Sequence, residues 1–420
     1  MATATTSETL PTIDDPEIMR QVNELRQIDN STNWYYLARE WVFIALVIAI
    51  SVTLFQTFWD GWWSLVWAIP LTFATHLCIG ASQHRLATLT HEAAHYMLFK
   101  NRLLNELVSE LCCMFPILGT THSYRVQHIG HHQYPNDPEL DPDWTQLRLS
   151  GHRFDFPMTF WEFLWHCFFK QFLWAPNLLR YVLVRAVFRV DMPSGPYHMK
   201  RVPTHHLTVI GFFYHVGLIA LLAYGVWSEA LEALLWGPLA LFAGMIALIA
   251  LGPEDWFPEY TVRADIPERL RSGLRFGFNS VVLFAIAWLT YWTGAPVWLY
   301  YFLCWLWPLG TAFSFFMILR QIVQHGNADT HRFTNTRIFL VNALIRMAVF
   351  PIGNDYHLPH HLFQMVPHYN LEKLHEILMG TRPYRDEAVV VTGYFFHDSE
   401  EPPHPTVVEL MTNEMKVGSA

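Results

Sequence analysis

Six stretches of about 20 apolar residues punctuate this chain, near 40–58, 63–82, 207–226, 233–252, 277–293 and 297–319. Backbone N–H and C=O groups find no water inside a bilayer, so a run of that length crosses as a helix that satisfies its own hydrogen bonds. The expected fold class is all-α, an integral membrane helical bundle. The pair 207–226 and 233–252 also reads as a shallow hairpin, which leaves four to six spans. Composition agrees: 52% of the residues are hydrophobic, 16% aromatic and only 15% charged, against about a quarter charged in a soluble domain.

With the N-terminus in the cytoplasm, the outside connections are Asp60 and Gly61, Trp227 to Glu232, and Gly294 to Pro296, none of which holds a Lys or Arg. All 27 basic residues then lie on the cytoplasmic side or at its edge, as the positive-inside rule requires. The first 38 residues are polar and lack the pattern of a signal peptide. We expect residues 1–38 to form a polar arm, 39–385 one integral domain, and 386–420 a loose tail. Leu103 to Leu118 is apolar but short, and reads as a re-entrant or interfacial helix. From Phe160 to Val190, Trp161, Trp165, Phe168, Phe169, Phe172 and Trp174 alternate with Lys170, Arg180, Arg185 and Arg189. That mixture suits a helix in the membrane interface and equally an aromatic packing face. The net charge of -9 comes largely from the termini, and no nucleic-acid partner is expected. The five cysteines lie in apolar segments without a CxxC, as buried small hydrophobes do.

Nine histidines form a second pattern: His91 and His95 in HEAAH, His128, His131 and His132 in HIGHH, the lone His325, and His357, His360 and His361 in HLPHH. Positions i, i+3 and i+4 share a helix face, so each HxxHH is expected to aim three imidazoles at one point and HEAAH two. Nine neutral nitrogens exceed what one tetrahedral ion uses and suit two metals with four or five ligands each. HEAAH alone also matches the zinc-protease HExxH, a reading that leaves the other boxes without a role. An even number of crossings separates HIGHH from HLPHH, which places every box on the cytoplasmic face.

The order HxxxH, HxxHH, a histidine after the last span and HxxHH, with HHQYPNDPELDPD and HHLFQMVPHYNLEKLH following the second and third boxes, resembles the membrane fatty acid desaturase and hydroxylase superfamily over roughly residues 39–380. The resemblance implies a transmembrane bundle under a cytoplasmic cap that holds two Fe ions through the nine box histidines. It also implies O2 as co-substrate. In some relatives an Asn near the last-span histidine holds a metal-bound water, and many bacterial relatives carry Glu just before that histidine; here Gln321 and Gln324 stand in that region.

Beyond the ligands, Glu92, Asp355 and Gln324 are the residues expected to bear on catalysis. Glu92, Asp137, Asp141, Asp143 and Asp355 are candidates to orient imidazole N–H groups, although Asp137 to Asp143 also read as ordinary Pro-rich turns. His122, His152, His166, His198, His205, His206, His215, His331, His368 and His375 lack box spacing and are expected to be structural, His331 being the first candidate exception.

Such a centre activates O2 with two external electrons and removes hydrogen from an unactivated C–H bond. Loss of a second hydrogen gives an alkene, so an acyl desaturase leads; oxygen rebound gives an alcohol, as in a hydroxylase or ketolase of a lipid, alkane or terpenoid. The chain has no Gly-rich nucleotide fingerprint, cysteine cluster or HPGG haem segment. Electrons are therefore expected from a ferredoxin-like or cytochrome b5-like donor, guided by basic residues such as Arg148, Arg153, Lys200, Arg201, Arg263, Arg269 and Arg271, which topology alone also explains. The expected substrate is a lipid or acyl chain from the membrane. A noncatalytic haem- or metal-carrying membrane protein is the reading from another class.

Overall fold

The computed structural model describes residues 10–187, 196–397 and 404–412. Six helices among them have the length and apolarity of membrane spans: Thr32–Phe58, Trp62–Ala94, His206–Trp227, Leu231–Leu251, Glu268–Thr293 and Val297–His325. The third and fourth have 22 and 21 residues. At about 1.5 Å per residue each is long enough to cross the apolar thickness of a bilayer.

The spans pack as two groups of three. Leu37 and Ile44 of the first, Ile79, Leu86 and Leu89 of the second and Trp305 of the last share one apolar core. Tyr214, Leu218 and Leu222, Leu234, Met245 and Ile249, and Ala287 tie the third, fourth and fifth together. The last span is enclosed by protein, with 72% of its apolar window buried against 6% for the fifth. Gly80 allows the second span to meet it: a Cβ there would lie 2.5 Å from that of Ala312. Pro308 has no N–H to donate, and wide π turns at Phe302–Leu306 and Leu309–Phe313 flank it.

Two helices outrun the bilayer. Trp62–Ala94 has 33 residues and Val297–His325 has 29, lengths of roughly 50 and 44 Å. The apolar runs expected to stop at 82 and 319 thus continue as helix and deliver His91 and His325 beyond the membrane core. Around those ends gather the helices Thr121–Gln133, Pro142–Ser150, His357–Leu362 and Leu371–Met379, which form a cap.

Described parts of the segments expected to be an arm and a tail pack into that cap. Pro16–Leu25 is a helix begun by Asp15, whose carboxylate accepts the Glu17 N–H, and its Ile18, Val22 and Leu25 pack on Leu371, Leu374 and Leu378. Within the segment expected to be a loose tail, Val389–Thr392 pairs in parallel with Arg337–Leu340. Val407, Val408, Leu410 and Met411 are buried in the largest core cluster. Apolar side chains four per six residues in VVELMT, too few for a period to show, carry that burial.

Between the first two boxes, Arg102–Ser109 continues into a π turn at Glu110–Met114. Its leucines 103, 104, 111 and 118 face outward, while Asn105, Glu106, Ser109 and Glu110 are buried, as expected of a segment with lipid on one side. The stretch from Phe160 exposes Trp161, Trp165, Phe169 and Trp174 and buries Phe163 and Cys167. Among its side chains Phe172, Arg185 and Arg189 lie outside the described residues.

Candidate metal centre

All nine box histidines converge, in two groups. His91, His95, His128, His132 and His360 form one; His131, His325, His357 and His361 form the other, with the candidate ligand atoms of each group within 4.8 Å of one another. The expectation that each HxxHH aims at one point is corrected by this division. In HIGHH the i and i+4 pair joins the first group and His131 the second; in HLPHH the i and i+4 pair joins the second and His360 the first. Helix geometry explains it: at about 100° per residue, i+4 lies some 40° to one side of i and i+3 some 60° to the other. Each box therefore straddles the line between two centres.

HEAAH reaches the site by ending a helix, since Leu65–Ala94 stops at His95, its C-cap. His325 is the last residue of Ser314–His325. The remaining boxes ride on Thr121–Gln133 and His357–Leu362.

The spacing of the nitrogens fits bound cations. His132 Nε2 lies 2.9 Å from His128 Nε2 and 3.0 Å from His360 Nε2. His357 Nε2 lies 3.0 Å from that of His325 and 3.2 Å from that of His361, and His325 is 3.2 Å from His131. One ion about 2.1 Å from each nitrogen places ligands at right angles about 3 Å apart. Buried Nε2 atoms of His91 and His95 have no hydrogen-bond partner among the described residues, an orphaning that a cation removes. Imidazole donors of this kind suit Fe, Zn, Cu or Ni.

Electrostatics prepare the donors. Burial holds the imidazoles of His128, His132, His357, His360 and His361 well below their ordinary pKa, so they are neutral with a free lone pair. His131 differs: burial pulls it down, but the Asp141 and Asp143 carboxylates outweigh that and raise it to about 9. Its Nδ1–H donates to Asp141 Oδ1 at 2.9 Å, which directs Nε2 at the second group. Asp141 also begins the helix Pro142–Ser150 by accepting the Asp143 N–H at 2.9 Å. His325 Nδ1–H donates to the Asn335 carbonyl at 3.0 Å.

The other expected residues separate. Asp137 makes a turn, accepting the N–H groups of Glu139 and Leu140. Glu92 accepts the His368 N–H at 2.9 Å and lies 3.5 Å from His91 Nδ1. Gln324 donates to the Asn354 carbonyl at 3.1 Å and lines a cavity of about 20 Å³ among the imidazoles, with Gln321, Arg320, Tyr124, Tyr181 and Asp143. Asp355 turns to Arg346, at 2.8 Å, and bonds no histidine among the described residues. His331 is exposed and lies 3.5 Å from Glu387, away from both groups. Arg271, expected to guide a donor, is 1% exposed and bonded to Glu110 and Glu268.

Residue types alone did not single out Arg125. Fully buried, it donates from Nε to the Ala94 carbonyl at 3.0 Å and from Nη2 to the Ala93 carbonyl at 2.8 Å, and it pairs with buried Glu106. Asn105 Nδ2 also donates to Ala93 at 3.0 Å. These donors bond the last carbonyls of the HEAAH helix, and Arg125 stands one turn before His128. An arginine inside a histidine-box helix was the available signal. Tyr124 stacks on His128, with ring centroids 5.3 Å apart, and the Tyr181 hydroxyl donates to Gln321 at 2.9 Å.

The family model for fatty acid desaturase matches residues 73–273 and 255–392, a span that takes in every histidine of both groups. The chain belongs to the fatty acid desaturase family. Among curated relatives of this desaturase-family chain, dihydrorhizobitoxine desaturase of Bradyrhizobium elkanii is 34% identical over 136 residues, 32% of this chain and 35% of the relative. A sphingolipid delta(4)-desaturase of Drosophila melanogaster is 32% identical over 131 residues, 30% and 38% of the two chains. The sn-1 oleoyl-lipid 12-desaturase of Anabaena variabilis is 28% identical over 92 residues, 21% and 25%. The matched stretches thus span about a quarter to two fifths of these relatives' lengths.

Proposed function

We propose that this chain is an O2-dependent desaturase that introduces a double bond into a fatty acyl chain or related lipid, with two electrons from an external donor. The balance is a CH–CH unit, O2, two electrons and two protons going to an alkene and two waters. The observation that carries the proposal is the pair of imidazole clusters, five and four ligands, on a membrane bundle of the desaturase family. Two iron ions, if held by these histidines, would supply the redox chemistry for reducing O2 and removing hydrogen.

The chain's own residues hold and orient. The nine histidines supply nitrogen donors, and Asp141 and the Asn335 carbonyl fix the ring orientations of His131 and His325. The cavity of about 20 Å³ has room for roughly one water-sized molecule, which suits O2. It shares His131, Asp143, Gln321 and His325 with an outer cleft of about 490 Å³, a route for substrate. A ferredoxin-like or cytochrome b5-like donor delivers electrons at the cap, on the cytoplasmic face. The relatives are desaturases, which favours an alkene over an alcohol.

The test is product analysis by mass spectrometry after supplying candidate lipids, O2 and a reducing system to membranes that hold the protein. A product two hydrogens lighter, absent without O2 or in a His132→Ala variant, is expected. An alcohol would move the assignment to a hydroxylase, and a metal-loaded protein that forms neither would overturn it.

A further inference from the structure

The HEAAH helix ends on a strained residue. Tyr96, directly after His95, has φ 60°. Its N–H donates to the Ala93 carbonyl at 3.1 Å, and the Met97 N–H donates to the Glu92 carbonyl at 2.8 Å. These two bonds make a Schellman turn, whose left-handed position glycine ordinarily takes because a Cβ is strained there. Among the described non-glycine residues with positive φ, Tyr96 is the one that directly follows a box histidine. A glycine would lack the ring, and the ring is engaged. The guanidinium carbons of Arg102 and Arg125 lie 4.6 and 4.1 Å from its centroid, contacts that a π face attracts. Its hydroxyl donates to Asp265 Oδ2 at 2.7 Å, and Asp265 stands in the connection that leads into the fifth span, Glu268–Thr293.

This turn sets the direction of His95. Asp141 holds the ring of His131 and the Asn335 carbonyl that of His325, but the His95 ring has no hydrogen bond among the described residues, and its Nε2 is buried. His128, His132 and His360 lie within helices, whereas His95 is a C-cap, where the helical ladder has stopped. We infer that Tyr96 is a positioning residue for His95: its ring and hydroxyl, held by Arg102, Arg125 and Asp265, fix the turn that brings this ligand to the other four of its group. The bond to Asp265 also ties the five-histidine group to the chain entering the other trio of spans. The inference rests on the reading of His95 as a metal ligand.

The test uses full-length protein in lipid nanodiscs, loaded with isotopically enriched iron and followed by Mössbauer spectroscopy during competition with a chelator. His360→Ala and His361→Ala mark which signal belongs to which group. Tyr96→Gly keeps a left-handed turn without strain and removes the ring, while Tyr96→Phe keeps the ring and removes the hydroxyl. Tyr96→Gly is expected to weaken iron in the five-histidine group by about 10- to 100-fold, Tyr96→Phe by a smaller factor, and each to shift that group's signal alone. Asp265→Asn, which keeps an acceptor for the hydroxyl, should remain near wild type. Should Tyr96→Gly fold poorly, Tyr96→Phe carries the test through the same signal. Iron held by the five-histidine group of both Tyr96 variants as tightly as in wild type, or equal weakening of both groups, overturns the inference. Failure of the metal reading shows separately, as wild-type protein that takes up no iron, and removes the inference with it.

Discussion

Asp141 and His131 are joined by a hydrogen bond of 2.9 Å that serves two structures at once. The carboxylate that fixes the ring of a candidate ligand also starts the helix Pro142–Ser150. Buried partners of metal-bound imidazoles typically matter 10- to 100-fold in metal affinity. Asp141→Asn keeps an acceptor for the helix cap but loses the charge that holds the His131 proton on Nδ1. We expect the second group, His131, His325, His357 and His361, to lose metal first, by roughly 10- to 100-fold in affinity. Competition with a chelator, followed by elemental analysis, checks this; equal weakening of both groups would contradict it.

Arg125 links the first two boxes through the Ala93 and Ala94 carbonyls. Arg125→Ala leaves buried Glu106 with only Arg271, at 3.6 Å, and takes a donor from each of those carbonyls, a loss of up to about 3 to 5 kcal/mol. Thermal stability and metal content of the first group should fall together. Arg125→Lys should restore part of the stability but less of the metal, because a single ammonium cannot span the contacts of a guanidinium fork.

Neighbouring histidines should act on different metals. His360→Ala removes a ligand from the group with five, and His361→Ala one from the group with four. Each variant should retain close to one metal per chain, and their metal-site spectra should differ. Identical spectra and equal loss of both metals would contradict the divided box.

Acid should weaken the metal-free protein. Burial holds His128, His132, His357, His360 and His361 below their ordinary value of 6.5. Their contribution is complete above 6.5 and lost as pH falls, because the unfolded chain takes up protons that the folded one resists, by at most about 1.4 kcal/mol per pH unit for each group. His131, raised to about 9, acts oppositely: its contribution is complete below 6.5 and fades as pH climbs through 9. Melting followed by tryptophan fluorescence should show a falling Tm from about pH 6.5 downward. A rise in that window would contradict the assigned neutral state.

Much of this was legible in the chain. Uncharged apolar runs announced the spans, and the boxes announced the ligands, because both signals are local. The division of HIGHH and HLPHH between two centres was not, since it depends on how helices are turned toward one another. Asp141 was visible as one acidic residue among turn formers, and only folding separates it from Asp137. Asp355 looked well placed beside HLPHH in sequence, yet Arg346 draws its carboxylate away. Val407 to Met411 gave no period long enough to read, and their burial comes from a core that includes Phe163, far along the chain. Arg125 would ordinarily be a surface residue, and its burial follows from the carbonyls and Glu106 that meet it.

The most direct test of the two-metal centre is iron per chain in protein purified from iron-replete cells, by elemental mass spectrometry beside an optical spectrum. The two imidazole groups predict two irons without a haem band. A single zinc, or a haem absorbance in place of paired iron, would contradict the account.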